Sequence, residues 1–128
     1  MKTIVLIEDD KDIRENTAEI LELANYKVFT AENGKIGVEL VLTEKPDLII
    51  CDIMMPVLDG YGVLHLVRED PHLRYTPFIF LSARTEKGDI GIGMALGADA
   101  YVNKPFEGDD LLNAIENYFK GSRLMRSD

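Results

Sequence analysis

Apolar runs at residues 3–7, 47–51 and 77–81, with shorter ones near 27–31 and 100–103, alternate along the chain with segments of helical periodicity. Strands that are apolar at nearly every position are buried on both faces. Regular alternation of such strands with helices gives a mostly parallel sheet covered on each side, joined by right-handed crossovers. The pattern predicts an α/β fold, a three-layer sandwich of five strands and five helices. The first helical segment, about 11–24, aligns Ile13, Thr17, Ile20, Leu21 and Ala24 on one stripe, with Asp10 as its N-cap. The second, 35–43, has Ile36, Leu40 and Val41 as its apolar side and stops before Pro46. The third, 61–69, ends before Pro71, and the fourth, about 86–96, closes at Gly97. The fifth, 109–119, turns Leu111, Leu112, Ile115, Tyr118 and Phe119 inward and ends at Gly121.

A chain of 128 residues is long enough to bury a core without disulfides or a structural metal. Residues 1–120 read as one domain and 121–128, where composition changes, as a C-terminal tail or the start of a linker. The net charge of −9 argues against direct binding to nucleic acid or an anionic membrane, both of which reward clustered Lys and Arg. A protein partner fits better. The single cysteine, Cys51, sits in an apolar strand and reads as a small core residue. No long uncharged apolar stretch is present and the first strand starts without a signal-like leader, so a soluble, cytoplasmic protein is expected.

The chemistry gathers at strand ends. Leu48–Ile49–Ile50–Cys51 delivers Asp52 just before the breaker-rich stretch from Met54 to Gly60, and Thr3–Ile7 delivers Glu8, Asp9 and Asp10. Open α/β sheets carry their sites at this edge. Carboxylates crowded there repel one another unless a hard cation neutralises them, and oxygen ligands of this kind suit Mg²⁺. The fourth strand delivers Ser82, and the fifth, Ala100–Asn103, delivers Lys104. Taken singly, each residue has an ordinary explanation: acids favour a helix N-terminus, Asp52 a turn, Ser82 a loop, Tyr101 a core position, Lys104 solvent. Independent structural needs do not put all of them at matching strand ends.

Together Glu8, Asp9, Asp52, Ser82, Tyr101 and Lys104–Pro105–Phe106 resemble the receiver domain of bacterial two-component, phosphorelay response regulators. The resemblance covers about residues 3–119, and its spacing agrees, since Ser82 follows Asp52 by 30 residues and Lys104 follows it by 52. It implies a flavodoxin-like sheet of order 2-1-3-4-5. It further implies that Asp52 is the phosphoacceptor, taking a phosphoryl group from a histidine kinase or phosphotransfer protein. Asp9, Asp52 and the Met54 backbone carbonyl would bind Mg²⁺, with Glu8 acting through water. Lys104 and the Ser82 hydroxyl would contact phosphoryl oxygens. A carboxylate acceptor needs no general base, because aspartate is ordinarily ionised near neutral pH. Ser82 and Tyr101 would form the switch, reshaping a protein-docking face, and a cis peptide would precede Pro105. The expected partners are that kinase and a downstream protein or attached output domain, with phosphorylation-dependent pairing through the face of the fourth helix, fifth strand and fifth helix. The chain would be a self-phosphorylating, self-dephosphorylating switch rather than a turnover enzyme.

Competing readings fit less well. A Mg²⁺-dependent aspartyl-phosphate phosphatase of the haloacid dehalogenase type wants a second acid two residues after its nucleophile, where this chain has Met54, and a cap domain for which there is no material. Gly91–Gly97 has the wrong spacing and position for a dinucleotide loop, no GxxxxGK[ST] loop occurs, and His65 and His72 straddle a proline, unsuited to a shared metal. The alternatives kept open are a truncated receiver of a DNA-binding transcriptional regulator or of a hybrid kinase. Winged-helix regulators pair through basic residues on the fifth helix, and 107–119 has no Lys or Arg, which favours a stand-alone or differently linked receiver. Met54 and Arg84 occupy places that tune dephosphorylation in the family, and their bulk predicts slow hydrolysis.

Overall fold

Nine elements lie within residues 1–82, 97–104 and 108–126, the residues that this computed structural model describes. They are β1 (Thr3–Ile7), α1 (Lys11–Leu23), β2 (Lys27–Ala31), α2 (Gly34–Glu44), β3 (Leu48–Asp52), α3 (Gly60–Glu69), β4 (Phe78–Ser82), β5 (Ala100–Asn103) and α4 (Gly108–Arg126). All pairings are parallel, in the order β2-β1-β3-β4-β5, with Ile7 beside Cys51 and Asp52 beside Leu81. The winding reverses between β1 and β3, because the chain goes outward to β2 and returns on the other side of β1. The strand ends part there and leave a crevice.

Alternation along each strand divides the core in two. Val5, Ile7, Ile49, Cys51, Phe78 and Phe80 pack with Val41, Val63, Leu64 and Val67 of α2 and α3. Ile4, Leu6, Leu48, Ile50, Ile79 and Leu81 pack with Leu21 of α1 and Leu111 and Ile115 of α4. Both faces are thus covered, which is what the unbroken apolar strands require. Helix starts are capped by side chains: Asp10 accepts from the Ile13 amide at 3.0 Å, Asn33 from Ile36 at 2.8 Å and Asp59 from Gly62 at 2.9 Å. At the far edge of the sheet Arg68 donates to the Thr76 and Gly97 carbonyls and to Asp99, which also accepts from the Phe78 amide. This network ties the starts of β4 and β5 to α3. No helix of the described residues is long and apolar enough to cross a membrane.

Two expectations need correcting. The buried side of α2 is Gly34, Gly37 and Val41, whereas Ile36 is exposed. A Cβ on Gly37 would lie 2.4 Å from Ile7 Cδ1 and one on Gly34 2.4 Å from the Leu58 carbonyl oxygen, so these glycines let α2 lie close on β1 and on the loop before α3, a packing role invisible to a hydrophobicity pattern. Gly121 does not end the last helix, which continues to Arg126. An interior helical glycine costs only about 1 kcal/mol relative to alanine, and it stops a helix only when a left-handed cap forms. Gly97 has a positive φ, 108°. The helical segment expected at about 86–96, Arg84, and the peptide before Pro105 fall outside the described residues.

Two glycines in α3 should respond oppositely to alanine. A Cβ on Gly60 would meet the Asp52 carbonyl oxygen at 2.4 Å and the Ile53 Cα at 2.8 Å, both backbone. On Gly62 it would meet Leu58 Cδ1 at 2.5 Å, the movable end of a side chain. Urea unfolding is expected to show Gly60→Ala destabilised by about 1–3 kcal/mol. Gly62→Ala should stay within about 1 kcal/mol of the unsubstituted protein, because helix propensity offsets the Leu58 adjustment.

Candidate functional site

Each site residue owes its position to a strand end. β1 ends at Ile7, and the Glu8 amide still donates to the Ala31 carbonyl of β2 at 3.0 Å, so Glu8 is held as if in the sheet. Its side chain is fully buried. Asp9, one residue on, is exposed, and Asp10 caps α1. Asp52 is the last residue of the central strand β3 and is only 6 % exposed. Lys104 follows β5, its amide donating to the Ser82 carbonyl at 2.8 Å. From there its stem spans back toward the crevice. Nζ reaches Glu8 Oε1 in a very short contact and lies 3.2 Å from Asp52 Oδ2. Ser82, 1 % exposed, ends β4 between them.

One ligand atom from each of Glu8, Asp9 and Asp52 lies within 4.8 Å of the others. Glu8 Oε2 is buried and has no hydrogen-bond partner among the described residues. An unsatisfied buried oxygen is costly, and here it faces a cluster of hard oxygen donors. That donor set fits Mg²⁺. Burial pushes the Glu8 carboxyl up to about 8, the adjacent Asp52 carboxyl adds to the rise, and Lys104 opposes it. For Lys104 burial works to lower the value, but contact with Glu8 and the charge of Asp52 outweigh it, and the ammonium is held above its ordinary range. The two acids need a cation, and in this arrangement Lys104 supplies one charge for two carboxyls. Cys51, beside Asp52, is wholly buried, and burial with the neighbouring acids pushes its thiol well above the ordinary range, which removes it as a nucleophile.

The loop from β3 to α3 is fixed tightly. The Gly60 amide donates to the Ile53 carbonyl at 2.9 Å, and the Leu58 amide to the Pro56 carbonyl at 2.8 Å. Val57 between them has φ 72°, a γ-turn of the strained kind, unusual for a β-branched residue. The Met54 side chain is 57 % exposed at the rim. Tyr101 on β5 is half-buried, its ring 5.5 Å from that of Phe80, which also meets Tyr61 at 5.4 Å.

Of the residues marked in the sequence, Glu8, Asp9, Asp52 and Lys104 thus converge, and Ser82 ends the neighbouring strand. Tyr101 packs against the aromatic row. Three contributors escaped the sequence reading. Asp59 was legible as an N-cap from its type and place before α3. Gly60 permits the close approach to the Asp52 carbonyl. Arg14 donates to the Glu8 carbonyl at 2.8 Å, a contact that no local pattern announces.

Comparison with known proteins shows the family. The family model described as the response regulator receiver domain matches residues 4–116. The chain is 40% identical over 125 residues to the transcriptional regulatory protein DltR of Streptococcus agalactiae, covering 98% of this chain but 55% of that protein. It therefore spans about half the length of that relative. Among solved structures, a CheY-like receiver domain protein from Methanospirillum hungatei superposes with TM-score 0.90 at 26% identity, covering 98% of each chain. The receiver domain of the sensor histidine kinase PA1611 from Pseudomonas aeruginosa, described with a magnesium ion coordinated in its active site cleft, superposes with TM-score 0.84 at 28% identity, covering 91% of this chain and 95% of that one. Sequence, sheet order and site geometry agree: the chain belongs to the response regulator receiver domain family.

Proposed function

We propose that Asp52 accepts a phosphoryl group from a phosphohistidine on a histidine kinase or phosphotransfer protein. The observation that carries this reading is the Lys104 ammonium bridging buried Glu8 and Asp52 in the crevice between β1 and β3. An Asp52 carboxylate oxygen attacks phosphorus, a P–O bond forms, the P–N bond breaks, and the imidazole keeps the electron pair and takes up a proton. Lys104 holds one phosphoryl oxygen as a compact point charge. The Ser82 hydroxyl donates to another. Asp9, Asp52 and the Met54 carbonyl would hold Mg²⁺ directly, with Glu8 behind them through water. When bound, the ion supplies positive charge opposite the phosphoryl oxygens.

In the same proposal the chain is a binding switch rather than a turnover enzyme. Ser82 moves toward the phosphoryl group and Tyr101 follows, so that occupancy is read on the β5–α4 side of the molecule. Phosphorylation shifts the two states only by its differential stabilisation of one of them. The partners would be the phosphodonor, a second copy on that face, and a downstream protein or attached output domain in the cytoplasm, without direct contact to nucleic acid or membrane. DltR is named a transcriptional regulatory protein and is about twice as long, which favours an attached output domain. The absence of Lys and Arg from 107–119 weighs against pairing of the winged-helix kind.

Incubation with acetyl phosphate and MgCl₂ should give one base-labile, acid-stable adduct per chain on Asp52, seen as a mass increase of one phosphoryl group. Asp52→Asn should abolish it and remain folded; continuous hydrolysis of many phosphoesters would instead favour the phosphatase reading. Stability should also depend on pH in a stated direction. The folded chain keeps the Glu8 proton that the unfolded chain releases, so this site's contribution falls as pH rises from about 4.5 to about 8. Addition of MgCl₂, which favours the ionised acids, should therefore raise Tm more at pH 8 than at pH 5.5. An equal shift at both values would contradict the coupling. Finally, Met54 at the rim should hinder the attacking water, and Met54→Ala is expected to lose its phosphoryl group several-fold faster, measured by decay of the mass adduct after removal of the donor.

A further inference from the structure

Arg14 lies on the first turns of α1, yet its guanidinium turns back onto the strand that α1 leaves. Nη1 donates to the Glu8 carbonyl at 2.8 Å and approaches the Asp9 carbonyl at 3.4 Å. The Glu8 amide is already held by the Ala31 carbonyl at 3.0 Å, and the Asp10 carboxylate is held by the Ile13 amide at 3.0 Å. The turn carrying the two acids is therefore fixed from three sides: by β2 through an amide, by the α1 cap through a side chain, and by Arg14 through the carbonyls between them. Only the last of these reaches both acidic residues. A guanidinium suits the task, because several donors in a rigid plane can engage two adjacent carbonyls.

We propose that Arg14 is a positioning residue, which clamps the Glu8 and Asp9 carbonyls so that both carboxyls stay aimed into the crevice toward Asp52. The inference rests on the reading of that crevice as a Mg²⁺ site. It has a sign that separates it from a plain charge effect. A fixed cation beside an acidic pocket repels a divalent ion, so removing Arg14 for its charge alone would tighten Mg²⁺ binding. Losing the clamp loosens the turn and weakens binding, because groups that orient metal ligands set affinity nearly as much as the ligands do.

The test is an MgCl₂ titration of the full chain followed by amide NMR shifts, with Arg14→Gln and Arg14→Lys beside the unsubstituted protein, and amide hydrogen exchange of residues 8–11 measured without metal. Arg14→Gln is expected to weaken Mg²⁺ binding on the order of tenfold and to speed exchange at residues 8–11. Arg14→Lys, which keeps the charge but reaches one carbonyl at a time, should fall between the two. Tighter binding by Arg14→Gln, or binding and exchange unchanged in both variants, would overturn the clamp. Failure of the unsubstituted chain to bind Mg²⁺ would overturn the metal reading itself and the role given to Arg14 with it, whereas a failure confined to the variants' expected pattern touches Arg14 alone.

Discussion

The structure depends on a carboxyl that is fully buried without being fully satisfied. Glu8 has one oxygen on the Lys104 ammonium and the other without a partner among the described residues, in contact range of a second acid, Asp52. Such a cluster opposes folding, because taking charge out of water costs more than one ion pair returns. It persists because the sheet around it is over-determined: β1 and β3 are interior strands of five, each apolar on both faces, and their hydrogen bonds fix where the acids must sit. The site is thus held by a core whose side chains take no part in the chemistry.

The topology explains why this cluster lies between β1 and β3. A parallel sheet has all its strand ends of one kind on one edge, so the acids at the ends of β1 and β3 are neighbours although 43 residues of chain lie between Ile7 and its partner Cys51. Lys104 comes from the edge strand β5 and must span the end of β4 to reach them, which a long flexible stem permits. Ser82 occupies the strand end beneath that span.

Much of this was legible in the sequence, for physical reasons that differ by residue. Asp52 and Glu8 stood out because a charge that abruptly ends an apolar strand has few structural uses. The strands themselves follow from burial on both faces, which leaves an unbroken apolar run. Ile36 misled because α2 lies on β1 through Gly37 and on Leu58 through Gly34, so its closest contacts are made where side chains are absent. Gly121 misled because a terminator works only if the chain turns there. Arg14 was unreadable in kind, since a side chain that bonds to backbone carbonyls five and six residues back leaves no trace in periodicity or charge pattern.

The division of labour between interior and edge strands carries one more step. Asp52 ends a strand laddered on both sides, to β1 as far as Cys51 and to β4 through Leu81, whereas β5 is paired only to β4. In its proposed role as phosphoacceptor Asp52 has to hold still, because a small misplacement of reacting groups costs heavily in rate. Tyr101, the reader in the same proposal, has to move at little cost. Tyr101 on β5 meets the core through an aromatic contact with Phe80, 5.5 Å between ring centres and tilted by 56°, an arrangement with several geometries of similar energy. Phe80 also touches Tyr61 at the start of α3, so a change at Tyr101 need not stay on the edge. That the acids sit at the ends of interior strands while Tyr101 lies on an edge strand is therefore a consequence of strand order.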